Sequence, residues 1–291
     1  MTGAVRRAVR SGANRLAARA GRGYVAGPNL GDARRIADAL LERGYGITLA
    51  YWDGVAEDPA AVAAQHASAI DDLGLRGGDY ISVKAPSVGY HHTVVADLVA
   101  RARAAGVGVH FDSLGHDTVG PTLDLIESLP GGHGGLGITI PGRWRRSPAD
   151  AGALSARGLA VRIVKGQWPD PDWTDLDPAE GFLAVTRAVA GTTAPVRIAT
   201  HDARLASAAL GILSDAGTPA EVELLFGLPV RPTLAVVQRQ HVRVYVPYGH
   251  GWLPYALDGL KSHPRLMLRL VRDALGGRYL GGFIDRTAVG T

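Results

Sequence analysis

LAVRIVK, residues 159–165, sets one arginine in the middle of an apolar run. With strand alternation, Arg162 stands on one face while Val161 and Ile163 stand on the other. A strand that is apolar on one face and charged on the other packs on that apolar face alone. Seven further runs read as strands, five of them also carrying a charged residue: GITLAY (46–51), YISVKA (80–85), GVHFDS (108–113), GLGITI (135–140), APVRIAT (194–200), EVELLF (221–226) and HVRVYVP (241–247). Amphipathic segments rich in Ala, Leu and Arg separate them, and Asp32–Arg43 and Val94–Ala105 read as helices. Asp58-Pro59 and Asp177-Pro178 mark helix starts, with an N-cap oxygen before proline and Glu180 as a capping-box acid in the second. Strands alternating with helices predict a parallel sheet, and eight such units favour closure into a (β/α)8 barrel. An open dinucleotide-binding sheet is the alternative, but no G-x-G-x-x-G follows the first strand.

The same alternation predicts what lines the barrel. Ser82 and Lys84 share one face of the second strand, and His110 and Asp112 share one face of the third. Arg197 and His201, Glu221 and Glu223, and Arg243 and Tyr245 pair in the same way on strands six, seven and eight. Buried charges are costly unless paired or in contact with a ligand. A polar ligand at the strand C-terminal ends explains such a lining. An internal ion-pair network, with Arg162 against Glu221 or Glu223, is the structural alternative.

Composition sets the outer limits. The chain has 291 residues, 46% of them apolar, enough for one large core. No apolar run approaches the roughly 20 residues of a membrane span. With no cysteine there is no disulfide, thiolate metal site or cysteine nucleophile, which fits a cytoplasmic protein. Formal net charge is +4. Arg6, Arg7, Arg10, Arg15, Arg19 and Arg22 precede the first acidic residue, Asp32, so residues 1–24 read as a basic helical arm and 25–291 as the barrel domain. Such an arm allows at most peripheral membrane contact. No aromatic-basic interleaving suggests nucleic acid. Of the three lysines, Lys84, Lys165 and Lys261, two fall at the ends of apolar strands, which points to a chemical role.

Five segments carry a resemblance: YISVKAP (80–86), VRIVKGQWPD (161–170), IATHDARLASAA (198–209), EVELLFGLPV (221–230) and VRVYVPYGHGWLPY (242–255). Together, in this order and spacing, they resemble the proline dehydrogenase family from about Val25 to Leu275. The resemblance implies a distorted (β/α)8 barrel with a C-terminal helix over the mouth. It also implies non-covalent FAD at the strand C-terminal ends and oxidation of an amine substrate to an imine by hydride transfer. The electron acceptor, quinone or oxygen, stays open. Lys84 falls on the family's active-site lysine and Asp112 on its strand-three aspartate, with Tyr245 as a third catalytic position. Arg162 and Lys165 match flavin-contacting residues, continued by Gly166, Gln167 and Trp168, and Thr200 and His201 match the motif that meets the cofactor. For His201 a structural, hydrogen-bonded role stands beside that one. Leu225, Tyr245 and Tyr255 match the substrate-pocket wall.

The chain also departs from the family. Pro141 stands where a flavin-bonding glutamine is expected, and Arg143 where a tyrosine follows. Asp258 and Gly259 replace the arginine pair that clamps the proline carboxylate, and Ser262 replaces a glutamate. These changes imply a substrate other than free proline, with Asp258 facing it, and a specialised biosynthetic role. Proline oxidation proper and a catalytically inactive ligand-binding barrel are the alternatives. A metal-dependent hydrolase using His110, Asp112 and His201 is a further one, weakened because the first strand lacks an H-x-H pair.

Overall fold

A computed structural model describes residues 25–251, apart from 73, 74, 76, 113, 175 and 238–240. Tyr255, Asp258, Gly259, Lys261, Ser262 and the arm 1–24 lie outside the described residues.

The eight strands expected from alternation are all present. They are β1 Gly46–Trp52, β2 Tyr80–Val83, β3 Gly108–Phe111, β4 Leu136–Pro141, β5 Ala160–Val164, β6 Val196–Ala199, β7 Ala220–Leu225 and β8 His241–Gly249. They pair in sequence order, and β8 closes onto β1 with Gly46 opposite Arg243 and Trp52 opposite Gly249. Every pairing is parallel. The helices are α1 Leu30–Leu41, α2 Pro59–Asp72, α3 His92–Ala104, α4 Val119–Ser128, α5 Ser147–Ala156, α6 Pro178–Ala188, α7 Ala203–Asp215 and the short α8 Arg231–Val236. The first precedes β1, and each of the other seven follows a strand.

Local chemistry sets the helix starts. Asn29 caps α1, its Oδ1 accepting from Asp32 N–H at 3.1 Å while Asp32 Oδ2 accepts from Asn29 N–H at 3.3 Å. The helix therefore begins at Leu30, two residues before the position read from periodicity. Asp177 caps α6 as expected, its Oδ1 accepting from Ala179 and Glu180 N–H at 2.9 and 3.0 Å.

The hydrophobic core fills the ring between strands and helices. Val161, Ile163, Ile198, Val222, Leu224, Val242 and Val244 are all buried there, against Val185, Leu205, Ala209 and Leu213. The residues between them on the strands point into the lumen, and these are polar. Arg162 sits beside Thr139 on β4 and Arg197 on β6, and Glu223 sits opposite Ala199 and Arg243. One period-2 pattern thus builds two interiors, one apolar and one charged.

Candidate active site

At the strand C-terminal ends the lumen opens into a cavity of about 580 Å³. This is the end at which barrel enzymes place their chemistry, because successive strands deliver side chains to one point there. Lys84, Asp112, Arg162, Lys165, Gly166, Gln167, Trp168, His201, Leu225 and Tyr245 all line it. Thr200 does not. It points away, buried, and its hydroxyl accepts from Asp202 N–H at 3.2 Å.

Arg162 is the centre of the polar floor. Its Nε donates to Thr139 Oγ1 at 2.9 Å, Nη1 to Glu223 Oε1 at 3.2 Å, and Nη2 to Ser82 Oγ at 3.0 Å and to Asp112 Oδ1. Among the described residues four of the five guanidinium N–H groups are therefore engaged, and one is left on Nη1. Burial alone would lower the Arg162 pKa. The Glu223 and Asp112 carboxylates more than offset it, so the group stays charged. Both alternatives from the sequence meet in this residue, because Arg162 is an internal ion pair and also a wall of the cavity.

Tyr245 lies over Arg162, its ring centroid 5.1 Å from the guanidinium carbon. Its hydroxyl donates to Asp112 Oδ2 at 3.0 Å and accepts from Trp52 Nε1 at 3.3 Å. Burial first, and Asp112 next, push the Tyr245 phenol well above its ordinary pKa, so it remains protonated and a donor. Lys84 lies just beyond β2 and is 8% exposed. Its Nζ is 3.0 Å from Asp53 Oδ1 and 5.8 Å above the Trp52 ring, while Ser87 Oγ donates to Asp53 Oδ2 at 2.9 Å.

The opposite wall is built from two loops stitched together. Gly142 N–H donates to Val164 O at 2.7 Å, Arg143 Nη1 to Gln167 O at 2.6 Å, Trp144 Nε1 to Trp168 O at 2.9 Å and Arg145 N–H to Asp170 Oδ2 at 3.1 Å. Gly166 makes this approach possible. Its φ is +95°, and a Cβ there would come within 2.7 Å of Pro141 Cβ. Lys165 extends from the strand end with Nζ 3.2 Å from Asp202 Oδ2, and both side chains are 43% exposed. His201 holds another wall: Leu225 N–H donates to Nε2 at 2.9 Å and Nδ1 faces Pro229 O at 3.0 Å, which fixes the Nδ1–H tautomer. Burial lowers its pKa, with the bond to Pro229 opposing. Both ring nitrogens are thus committed to the protein.

Against known proteins, no family model matches the chain. A proline dehydrogenase of Deinococcus radiodurans is 27% identical over 290 residues, covering 87% of this chain and 89% of that protein. The chain is similar to proline dehydrogenases along most of its length. A second relative, proline dehydrogenase 2 of Bacillus subtilis, is 24% identical over 49% of this chain and 50% of its own length. Among solved structures, proline utilization A from Bdellovibrio bacteriovorus, inactivated by N-propargylglycine, superposes with a TM-score of 0.69 at 16% identity over 89% of this chain. The Bradyrhizobium japonicum protein of the same name gives 0.60 at 20% identity over 87%. This chain spans 35% and 32% of the lengths of those two chains, and at such identities the likeness is one of fold.

Sequence reading missed several parts of this cavity. Trp52 ends β1 and Asp53 follows it in the string AYWD, and nothing local ties Asp53 to Lys84 31 residues later. Leu114, Trp144 and Leu228 also line the cavity, from loops without periodicity. Among the described residues, no helix is long and apolar enough to cross a membrane.

Proposed function

We propose that the barrel binds FAD non-covalently at its strand C-terminal ends and oxidises the CH–NH bond of a proline-like secondary amine to an imine. The observation that carries this reading is the convergence of Lys84, Asp112, Arg162 and Tyr245 on one cavity, in a chain similar to proline dehydrogenases. The donor set fits a flavin. Arg162 offers one remaining N–H and a fixed positive charge, Trp52, Trp144, Trp168, Leu225 and Leu228 give flat apolar walls, and Lys165 supplies a half-exposed cation for a phosphate. When bound, the flavin supplies the two-electron acceptor.

The residues around it would divide the work. Asp112 holds Arg162 and Tyr245 in fixed positions through its two oxygens, so neither has to reorganise during reaction. Arg162 presents positive charge where electron density arrives. Lys84, anchored by Asp53, orients the amine substrate. The carbon loses a hydride and the nitrogen a proton. Heat release of the chromophore and its identification by chromatography test the cofactor; a colourless protein that also fails to take up added FAD overturns the reading.

Free proline is the substrate suggested by the relatives' names. A second reading, a proline ester or amide, is favoured by Asp258 and Gly259, where the family's arginine pair would stand. Truncating one partner of a buried charge pair costs about 2–5 kcal/mol, so roughly 30-fold or more in affinity separates the two readings. Anaerobic flavin bleaching by proline and by proline methyl ester, in the wild type and in Asp258→Arg/Gly259→Arg, decides between them. Efficient bleaching by free proline removes the second reading.

A further inference from the structure

The opposite end of the barrel carries a second charged cluster that the proposed oxidation does not use. Arg197 Nε donates to Glu221 Oε1 at 2.9 Å, and Arg243 Nε donates to the same oxygen at 2.8 Å. Arg243 is otherwise fully occupied, with Ile47 O and Gly78 O each at 2.6 Å, Glu221 Oε2 at 3.2 Å and Asp79 at 3.6 Å. Arg197 is not. Among the described residues its Nε is its one hydrogen-bonded nitrogen, while its guanidinium stacks 4.3 Å from the Tyr80 ring. Among the described residues Nη1 and Nη2 have no acceptor, although the side chain is only 12% exposed.

Arg197 lines two cavities at this basal end, of about 360 and 450 Å³, which share Gly78, Asp79 and Pro195 as walls. A mostly buried guanidinium that shares half a carboxylate is under-compensated. Its open fork is shaped for two oxygens in a plane.

We propose that this basal cavity is a second ligand site and that its ligand is a small organic monocarboxylate. The carboxylate would sit on the Nη1/Nη2 fork, with an apolar body against Gly137, Ala160 and Pro195. Charge selects the monoanion. Glu221 and Asp79 stand beside the fork, and the helices direct their C-terminal, negative ends to this side of the barrel, so a multiply charged anion is disfavoured. The site is independent of the proposed flavin chemistry. It does touch that floor indirectly, because Tyr80, stacked on Arg197, donates through its hydroxyl to Glu223 at 2.7 Å.

The test is titration of the full chain with benzoate, butyrate and inorganic phosphate, followed by calorimetry and ligand-observed NMR. Benzoate and butyrate bind and phosphate does not. Arg197→Lys keeps the charge and loses the fork, and weakens binding by about tenfold or more, as does Arg197→Gln. Should the variants fail to fold, nuclear Overhauser contacts from bound benzoate to the Tyr80 and His110 rings in the wild type place the site. No binding by either carboxylate, equal binding of phosphate, affinity unchanged in Arg197→Lys, or displacement by FAD overturns the proposal.

Discussion

Glu223 holds Arg162 from beneath the cavity floor: Oε1 accepts from Nη1 at 3.2 Å and also from Thr48 Oγ1 at 2.7 Å. Oε2 accepts from Tyr80, so this one carboxylate takes bonds from β1, β2 and β5 while sitting on β7. Removing one partner of a buried ion pair costs about 3–5 kcal/mol, because the other charge is left uncompensated. Glu223→Gln keeps the shape and removes the charge, and Asp112 still pairs with Arg162. Its expected loss therefore lies towards the lower end, about 3 kcal/mol by denaturant unfolding. A variant as stable as wild type would mean that the floor is not held by this charge.

Arg162→Met strands two carboxylates, Asp112 and Glu223, so it lowers stability as well as cofactor affinity. A charge-assisted hydrogen bond is worth about 1.5–3 kcal/mol, so FAD affinity falls by about tenfold or more. Lys84→Met acts differently, since Lys84 pairs with Asp53. It lowers turnover while FAD retention stays near wild type. Equilibrium FAD binding and single-turnover flavin reduction separate the two effects.

How much of this was legible in the sequence follows from period. The eight strands and the polar lumen are local statements, because Arg162 between Val161 and Ile163 already declares which face is which. Lys165 was not legible from alternation, which puts it on the face opposite Arg162; it joins the cavity because β5 ends at Val164. The Lys84–Asp53 pair was not, because it joins two strand ends whose proximity depends on barrel closure. The loop wall was not legible either. It depends on the close approach at Gly166 and on side-chain bonds to backbone carbonyls, which leave no repeating pattern.

Three histidines whose pKa values are lowered by burial make stability depend on pH. Burial lowers the pKa of His66 to about 4, with Lys84 pushing the same way and Asp112 and Asp53 opposing. Burial, aided by Arg162, Arg197 and Arg243, takes His110 well below its ordinary value, and burial lowers His201 as well. In the unfolded chain each titrates near 6.5. As pH falls from about 6.5 towards 4, the unfolded state takes up protons that the folded state refuses, so stability is lost across that window. His66 alone accounts for about 3 kcal/mol at most. The melting temperature should fall steadily from pH 7 to pH 4.5, and His66→Leu should flatten that slope. A wild-type melting temperature independent of pH in this range would refute the account.

Asp53 is expected to act on turnover through Lys84. The carboxylate takes Lys84 Nζ on Oδ1 and the Ser87 hydroxyl on Oδ2, so it fixes the position of the lysine at the cavity wall. Asp53 itself is not among the residues lining the cavity. Asp53→Asn keeps the hydrogen-bonding shape and removes the charge. Contacting pairs couple by about 0.5–3 kcal/mol, so the expected effect is a several-fold to roughly hundredfold slower flavin reduction, with FAD affinity unchanged. The decisive comparison is the double variant. If Asp53 acts only by holding Lys84, then Lys84→Met/Asp53→Asn reduces the flavin no more slowly than Lys84→Met alone, whereas independent roles make the two losses multiply. Ser87→Ala, which frees one carboxylate oxygen and leaves the ion pair intact, should fall between wild type and Asp53→Asn. Multiplying losses in the double variant would show that Asp53 has a role of its own.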